Sequence, residues 1–575
     1  MEILNKVRTK RWVLKEPGDS AIVAKIANEL NISPVLANLL VQRKITDFDL
    51  AKTFFRPSLD NLHDPFLMKD MEKAVERLSL AIKQGEKILV YGDYDVDGTT
   101  AVALVYSFIT SFYSAVEYYI PDRYAEGYGI SFQGVDYAAQ NDFSLIIALD
   151  CGIKSNDKVD YANERGVDFI ICDHHLPGEF LPNAAAVLDP KRSDCKYPFK
   201  ELSGCGIGFK LAQAYSQKHD IPFKTLTQYL DLTAISIASD IVPIVGENRI
   251  LAYYGLEHLN ARSRPGIDAL LVKNNIKRIL TITDVVFIIG PRINAAGRIS
   301  SGKKAVEMLI SQGKELAEST GLVIDKNNIE RKELDKNITQ QALDMISCDD
   351  IMVNRKTTVL FHQDWHKGVI GIVASRLTET YYRPTILLAE SNGYATGSAR
   401  SVKDFDVHNA IDQCSDLLEQ FGGHKYAAGL TIKLENIKAF SEKFEKVVNE
   451  LIDDELLIPK VEIDSELHLS EISPKFIRVL KQISPFGPEN MSPVFVSVGV
   501  VCRANSAKIL KDLHLKICIC HPENPSLGIA AIGFNMFEHY TRVTSGEPFD
   551  ICYSVEENHF MGETTIQLHI KDIRY

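Results

Sequence analysis

Three aspartates at alternate positions, Asp93, Asp95 and Asp97, follow a short apolar run and stand just before Gly98. This spacing constrains the fold, because like charges packed together raise each other's pKa and resist burial. A divalent cation supplies the counter-charge that a buried carboxylate cluster needs. The sequence therefore predicts a metal site at the end of a buried strand.

The nearest alternative is a calcium-binding EF-hand loop, whose opening pattern matches DYDVDG at 93–98. The match fails further on, because the ninth loop position is Ala101 and the twelfth, where a bidentate glutamate is needed, is Leu104. The residues before the loop are typical of a strand, whereas an EF-hand requires a helix there. The pattern excludes an EF-hand.

The same arrangement returns further along the chain, where apolar runs end at Asp150, at Asp173-His174-His175 and at Asp189. Such runs are typical of strands buried on both faces, and the stretches between them are typical of helices. The alternation predicts a doubly wound α/β fold with a parallel sheet, in which ligands bind beyond the carboxyl ends of the strands. Asp189, which precedes a proline, also fits an ordinary turn residue.

The composition is that of an ordinary intracellular enzyme. The chain has 575 residues, 45% of them hydrophobic, which suits about three to four domains. No apolar run approaches the roughly 18 residues of a membrane-spanning helix, and the N-terminus lacks a secretory signal. Ten cysteines without a C-x-x-C pair favour reduced thiols, so we expect a cytoplasmic protein.

The net charge of −12 argues against a wholly basic DNA-binding surface but leaves room for a local basic groove. Each basic residue taken alone is more often a solvated surface charge. Candidate contacts to a nucleic-acid backbone are Lys191, Arg192, Lys196, Lys200, Arg262, Arg264, Lys273, Lys277 and Arg278.

Several motifs together resemble those of the DHH phosphoesterase superfamily. In the first half they are GDYDVDGTT (92–100), LDCGI (149–153), DHH (173–175), ASDIVP (238–243) and GPRINAAGRI (290–299). Downstream, the motifs of the second domain associated with that superfamily are WHKGVIGIVASRL (365–377), GSARS (397–401) and FGGHKYAAGLTI (421–432). PFGPENMSPVF (485–495) is similar to a C-terminal segment of the members that degrade single-stranded DNA.

The chain is predicted to divide into five segments. Residues 1–84 carry helical apolar spacing and form a helical lead-in. Residues 85–300 form the DHH catalytic domain, 301–349 a connecting helix, and 350–455 the DHH-associated, substrate-binding α/β domain. Residues 456–575 alternate β-branched and apolar residues, which predicts an OB-like barrel that binds nucleic acid.

The resemblance implies two divalent cations, Mn²⁺ or Mg²⁺. Predicted metal ligands are Asp93, Asp95, Asp97, Asp150, His174 and Asp240, with Asp150 bridging both ions. His175 would face the scissile phosphate, and Asp173 would hold a histidine in its tautomer. Many relatives have a histidine where this chain has Tyr91, which leaves the role of Asp93 open.

The resemblance also implies residues that bind substrate phosphate. Arginine offers bidentate recognition, and glycine lets backbone N–H groups approach an anion. For a lone arginine the alternative is a surface ion pair, and for the glycine pair it is a tight turn. The candidates are Arg123, Arg298, Ser398, Arg400, Gly422, Gly423 and His424.

The implied function is 5′→3′ hydrolysis of single-stranded DNA to 5′-mononucleotides, in DNA repair and recombination. A single-strand binding protein and a helicase are the implied partners, and the expected state is a monomer. One alternative is a DHH phosphodiesterase that acts on short oligoribonucleotides or small nucleotides. Another is an inactive replication scaffold, against which the intact set of aspartates and histidines argues.

Overall fold

The structure is a computed structural model that describes residues 10–262, 264–560 and 563–575. Its internal contacts divide the chain into two compact units. The unit formed by residues 53–331 and 485–491 contains the alternating aspartates and is called the aspartate unit. The remaining described residues form the flanking unit.

The strands of the described residues are β1 (Arg11–Leu14), β2 (Lys87–Gly92), β3 (Val116–Tyr119), β4 (Phe143–Leu149), β5 (Asp168–Cys172), β6 (Ala186–Leu188), β7 (Thr358–His362), β8 (Thr385–Ser391), β9 (Tyr394–Arg400), β10 (Leu418–His424), β11 (Ala427–Lys433), β12 (Lys460–Ile463), β13 (Ser465–Glu466), β14 (Phe495–Cys502), β15 (Lys508–Leu510), β16 (His514–His521), β17 (Asn524–Gly533), β18 (Phe549–Phe560) and β19 (Glu563–Arg574).

Their helices are α1 (Ser20–Leu30), α2 (Pro34–Gln42), α3 (Phe48–Phe55), α4 (Met71–Gln84), α5 (Val96–Thr110), α6 (Phe132–Gln140), α7 (Asn156–Asn163), α8 (Gly204–Lys218), α9 (Leu230–Ser239), α10 (Gly246–Asn260), α11 (Pro265–Lys273), α12 (Ile282–Asp284), α13 (Gly290–Ile299), α14 (Gly302–Ile310), α15 (Lys314–Ser347), α16 (Asp350–Asn354), α17 (Ile370–Tyr381), α18 (Val407–Asp412), α19 (Ile437–Leu451), α20 (Pro474–Ile483) and α21 (Tyr540–Val543).

A five-stranded parallel sheet with the order β3-β2-β4-β5-β6 is the centre of the aspartate unit. Both of its faces are buried, because Ile88 and Val90 pack with α5 and α8 while Leu89 and Tyr91 pack with α6 and α7. Continuous apolar strands are what a sheet covered on both faces requires. The predicted doubly wound α/β fold is confirmed.

The connecting region differs from the single helix that was predicted. Helix α14 ends at Ile310 and α15 begins at Lys314, so residues 311–313 interrupt the helical run. The interruption contains Gly313, which is a poor helix former. Helix α15 itself is 34 residues long.

The middle of the flanking unit is a mixed five-stranded sheet with the order β10-β11-β9-β8-β7. Only the β7–β8 pair within it is parallel. Helix α19 covers one face through Phe440 and Phe444, and α17 packs on the other face together with the end of α15. This is the second α/β domain that the sequence predicts.

The C-terminal strands form the predicted β-barrel. The sheet runs β13-β14-β18-β19-β17-β16-β15, and a further pairing of β14 with β16 closes five of its strands into a ring. Closure removes exposed strand edges, which are otherwise sites of unwanted pairing.

The N-terminal segment is not purely helical, contrary to the prediction. Strand β1 pairs in parallel with β12, so Trp12 lies opposite Val461. The apolar pattern of so short a strand is indistinguishable from that of a loop until its partner is known. Within the described residues, no helix is both long enough and apolar enough to cross a membrane.

Helices α9 and α10 cross closely because Gly255 has no side chain. A Cβ atom at Gly255 would lie 2.2 Å from the Leu230 carbonyl oxygen and 2.5 Å from Ala234 Cβ. We expect Gly255→Ala to lower the free energy of unfolding by about 1–3 kcal/mol, since the backbone has to move apart. Denaturant melts of the full chain measure this.

Gly313→Ala is the matched control, because a Cβ atom there meets nothing within 4 Å. Equal effects of the two substitutions on unfolding would show that the α9–α10 crossing does not depend on Gly255.

Candidate metal centre

The loop after β2 holds the three alternating aspartates at the start of α5. Asp93 is fully buried, and its Oδ1 accepts a hydrogen bond from Gly129 N (3.3 Å). Asp95 caps the helix, since its Oδ1 accepts from Gly98 N (3.0 Å). Asp97 lies in the first turn of α5 and is buried. The partial positive charge of a helix N-terminus favours carboxylates at this place.

Asp97 is also anchored by a second helix. Its carboxylate accepts hydrogen bonds from Gly204 N and Cys205 N at the start of α8, each 2.7 Å long, and from Ser236 Oγ (2.7 Å). Backbone N–H groups at a helix N-terminus form an anion site. Two helices and the α9 hydroxyl therefore fix this carboxylate.

Asp150 follows β4 in a strained conformation. Its φ is +60°, in the left-handed region, which costs about 1–3 kcal/mol for a residue other than glycine. The side chain is buried, and a Cβ atom at Gly204 would lie 2.6 Å from Asp150 Cβ. The neighbouring glycine therefore makes the room that this carboxylate occupies.

The DHH loop after β5 is held by the carboxylate of its own Asp173. Asp173 Oδ1 accepts from His174 N (2.8 Å) and from His175 Nδ1 (2.7 Å), and its Oδ2 accepts from Ile153 N (2.9 Å). These hydrogen bonds suit Asp173 to the role that the resemblance implies, which is to hold the loop and its histidines in position.

His174 lies at the centre of the carboxylates. Its Nε2 is 3.2 Å from Asp150 Oδ1, 3.5 Å from Asp240 Oδ2 and 3.8 Å from Asp97 Oδ2. Asp240 is presented by the C-terminal end of α9. Two overlapping groups, Asp97-His174-Asp240 and Asp150-His174-His175, each bring one ligand atom per residue within 4.8 Å of the others.

Burial and mutual repulsion disfavour charge on these carboxylates. Burial, followed by the nearby Asp95, raises the pKa of Asp93 to about 8. Burial, followed by Asp97, raises the pKa of Asp240 to about 8 and also raises the pKa values of Asp95 and Asp150. The folded protein by itself therefore holds protons here at neutral pH.

The unsatisfied atoms fit a divalent cation. Asp93 Oδ2, Asp150 Oδ1 and both ring nitrogens of His174 are buried and make no hydrogen bond with any described residue. A buried polar atom without a partner is costly. Carboxylate oxygens are hard ligands that suit Mg²⁺ or Mn²⁺, and an imidazole among them favours Mn²⁺.

Three family models match the chain in order. They are the N-terminal domain of the DHH family over residues 87–237, the DHHA1 domain over 354–450 and the RecJ OB domain over 463–572. The single-stranded-DNA-specific exonuclease RecJ of Bacillus subtilis is 35% identical over 566 residues, which cover 98% of this chain and 70% of that protein. The Escherichia coli RecJ is 32% identical over 527 residues, 88% of this chain and 90% of that protein.

The chain belongs to the RecJ family.

Solved structures agree with this assignment. The crystal structure of Thermus thermophilus RecJ in complex with Mn²⁺ covers 98% of this chain and 79% of its own, with a TM-score of 0.84 and 26% identity. A structure of exonuclease RecJ bound to manganese covers 69% of this chain and 97% of its own, with a TM-score of 0.60 and 30% identity. The predicted family and fold are therefore confirmed.

Tyr91, at the position where the resemblance implies a histidine, has a structural role in this chain. Its buried Oη donates to Gly129 O (2.9 Å) and accepts from Ser131 N (3.2 Å). Gly129 in turn donates to Asp93. Tyr91 thus fixes the loop that holds Asp93 and is not itself turned toward the other carboxylates.

Two residues near the centre were not identified as functional from sequence. Tyr128 Oη lies 3.3 Å from His175 Nε2, and no motif marks this tyrosine. Asp189, which also fits a turn residue, is fully buried; its Oδ1 accepts from Lys191 N, while its Oδ2 has no hydrogen-bond partner among the described residues. The apolar run that ends at Asp189 marked this residue in the sequence, but the proline that follows it fitted an ordinary turn equally well.

Arg123 and Arg298 lie beside the aspartate loop. The Arg123 guanidinium is over the Tyr94 ring, 4.9 Å from its centroid. Tyr124 Oη donates to the backbone oxygen of Arg298, which ties α13 to the loop that carries Arg123, and a Cβ atom at Gly297 of α13 would lie 2.6 Å from the Tyr94 backbone oxygen. The structure thus brings these two predicted phosphate contacts close to the carboxylates within the aspartate unit.

The other predicted phosphate contacts lie on the mixed five-stranded sheet of the flanking unit. On β9, Ser398 pairs with Gly429 of β11, which pairs with Gly422 of β10. Arg400 belongs to the next row on the same face, since it and His424 both pair with Ala427. Arg400 Nη1 donates to Ser398 Oγ (2.8 Å), and His424 is exposed.

Gly423 lies between these rows, with a φ of +145°. A Cβ atom there would lie 2.4 Å from Ala427 O. The glycine pair therefore belongs to a tight strand pairing beside the Ser398 and Arg400 side chains.

Several of the basic candidates form intramolecular pairs. Arg192 bonds Asp70 and Asp194, Arg264 bonds Asp231, and Arg278 pairs with Asp284. These ion pairs account for the three arginines without any contact to DNA, and a sequence does not show which cations have an acidic partner in the fold.

Metal removal should reverse the ordinary pH dependence of stability. Between pH 6.5 and 8.5, Asp93 and Asp240 keep protons in the folded state that they lose when unfolded. The free energy of unfolding of the EDTA-treated protein should therefore fall as pH rises through this window. With saturating Mn²⁺ it should rise instead, because deprotonated ligands bind the ion. Denaturant titrations across this pH range measure both slopes.

Asp93→Asn should flatten the slope measured in EDTA, while Asp160→Asn, on the exposed face of α7, should leave it unchanged. A stability that rises with pH in EDTA would contradict the protonation assigned to these carboxylates.

Proposed function

We propose that this chain is a single-stranded-DNA-specific exonuclease that hydrolyses phosphodiester bonds with two divalent cations, Mn²⁺ or Mg²⁺. The observation that carries the proposal is the buried group of carboxylates around His174, with oxygen and nitrogen atoms that lack partners among the described residues. Membership of the RecJ family supports the choice of substrate.

The ligands for the two ions are Asp93, Asp95, Asp97, Asp150, His174 and Asp240. Two such ions activate a water molecule and stabilise the leaving oxygen of a phosphodiester. The resemblance implies that Asp150 would bridge the two ions, and the structure holds this carboxylate between His174 and the α8 N-terminus.

His175 supplies positive charge to the scissile phosphate. Burial lowers the pKa of His175, but the hydrogen bond with Asp173 outweighs it and raises the pKa to about 9. Without bound metal the imidazole is therefore charged at neutral pH, and 45% of the side chain is exposed. A cation at this place stabilises the charge that develops on the phosphoryl oxygens.

Other residues hold the DNA strand. Arg123 and Arg298 contact phosphates near the carboxylates. Ser398, Arg400, Gly422, Gly423 and His424 hold a phosphate on the sheet of the second domain. In the barrel, the exposed Phe534 lies between His514 and His569, with ring centroids 5.1 and 4.9 Å away, which suits base stacking.

The finer features of the activity follow from the family resemblance. The proposed polarity is 5′→3′ with release of 5′-mononucleotides, in DNA repair and recombination, and the proposed domain boundaries are those given by the sequence. A single-strand binding protein and a helicase are the proposed partners of a monomer in the cytoplasm. All ten cysteines lie in the described part of the chain as free thiols, which suits a reducing compartment.

The first test uses single-stranded DNA labelled at either end, with Mn²⁺. We expect mononucleotide release that a block at the 5′ end prevents and a block at the 3′ end does not. If a block at the 3′ end prevented digestion and a block at the 5′ end did not, the result would contradict the proposed 5′→3′ polarity. Cleavage of a dinucleotide but not of a 20-mer would favour the small-substrate phosphodiesterase, and no cleavage of either would favour the scaffold.

Asp97→Asn should reduce kcat by at least about 10³-fold, because the substitution removes a ligand charge from the centre. Asp160→Asn is the control, since it makes the same chemical change on an exposed helix. Mononucleotide release under saturating Mn²⁺ measures both. Full activity of Asp97→Asn would remove Asp97 from the metal site.

Arg400→Gln should raise the KM for single-stranded DNA about tenfold or more and change kcat much less, because a charged hydrogen bond to phosphate contributes about 1.5–3 kcal/mol. Lys446→Gln removes one exposed positive charge from the same domain and should leave KM unchanged. Steady-state kinetics at fixed salt measure both. Equal KM values for the two variants would exclude Arg400 from substrate binding.

A further inference from the structure

A second group of metal-ligating side chains lies in the C-terminal barrel of the flanking unit. His468 follows β13, His521 ends β16 and Glu523 lies in the turn to β17. One ligand atom of each residue lies within 4.8 Å of the others. None of the three belongs to the motifs or to the site described above.

His521 is the residue that needs a partner. It is only 8% exposed, and its Nε2 is buried without a hydrogen bond to any described residue. The ring stacks on His468, with centroids 4.0 Å apart and planes at 3°. Stacking covers the face of the imidazole but leaves its ring nitrogen unsatisfied, which costs free energy in a folded protein.

His468 is oriented by its own hydrogen bond. Its Nδ1 lies 2.6 Å from Ser470 Oγ, and its Nε2 is 3.6 Å from Glu523 Oε1. A hydrogen bond on one imidazole nitrogen fixes the ring and leaves the other nitrogen to bind a metal ion. The carboxylate of Glu523 supplies negative charge on the same side.

We propose that His468, His521 and Glu523 bind one divalent transition-metal ion of the Zn²⁺ class, with water as the fourth ligand. Two imidazoles and one carboxylate form a set that zinc takes readily and that Mg²⁺ does not prefer. The site is separate from the proposed exonuclease centre in both residues and ligand chemistry.

To close the site, the His468 ring has to rotate out of its parallel stack on His521, because an ion lies in the plane of each imidazole that binds it. Ligand atoms around tetrahedral zinc are about 3.4 Å apart, somewhat closer than the 4.8 Å limit that the three atoms satisfy. The side chains of His468 and Glu523 are 44% and 77% exposed and can turn toward the buried His521 nitrogen. Binding would clip the β16–β17 turn to the segment after β13.

The test measures zinc bound by the full chain with saturating Mg²⁺ present, by dialysis against buffered ZnCl₂ and elemental analysis. We expect His468→Gln and Glu523→Gln each to weaken the affinity of the barrel site for zinc at least tenfold. Loss of a hydrogen bond that supports a ligand already weakens metal affinity by about 10–100-fold, and loss of the ligand itself should weaken it at least as much. His514→Gln, on the same strand as His521, is the matched control and should bind as the unaltered chain does. Equal binding by all four proteins would overturn the proposal.

Asp150→Asn distinguishes zinc bound at the exonuclease centre from zinc bound at the barrel site. This substitution alters only the exonuclease centre, so the barrel site should still bind zinc. Co²⁺ gives a second readout, because four-coordinate Co²⁺ absorbs visible light strongly. We expect His468→Gln to abolish this absorption band and Asp150→Asn to retain it. If the Co²⁺ band were lost in Asp150→Asn and kept in His468→Gln, the proposed metal site in the barrel would be wrong. The proposed exonuclease function would not be affected by that result. Circular dichroism in EDTA checks that each variant is folded.

Discussion

The repulsion among carboxylates buried at one edge of the parallel sheet is the constraint on which the rest of the aspartate unit depends. Strands β2 and β4 bring Asp93, Asp95, Asp97 and Asp150 to that edge, and α9 adds Asp240. Two helix N-termini stabilise part of this charge. In the proposed function, a pair of divalent cations balances the charge that remains.

The surrounding structure holds this unfavourable group in place. Tyr91 holds the loop at Gly129, which donates a hydrogen bond to Asp93. The carboxylate of Asp173 accepts hydrogen bonds from the His174 backbone N–H and the His175 ring, and so holds both histidines. Asp150 keeps a left-handed backbone that only a well-packed environment maintains. Preorganisation of this kind places ligands before an ion arrives and avoids an ordering cost when it binds.

The sequence predicted the parallel sheet and the strand-end aspartates, because apolar runs followed by carboxylates determine both. It did not predict that the α8 N-terminus anchors Asp97, since the contact joins residues 107 positions apart. It also missed Tyr128 and gave no hint that Arg192 and Arg264 are paired. Such contacts depend on tertiary packing, which local patterns do not encode. Strand β1, too short for a clear period, was missed for a related reason.

Electron paramagnetic resonance of the full chain titrated with Mn²⁺ tests the central claim most directly. If Asp150 bridges two ions about 3.5–4 Å apart, their spins couple, and the spectrum at two equivalents differs from that of isolated Mn²⁺. Asp150→Asn should abolish the coupling. A spectrum of uncoupled Mn²⁺ at every stoichiometry would contradict the two-ion centre at the edge of the sheet.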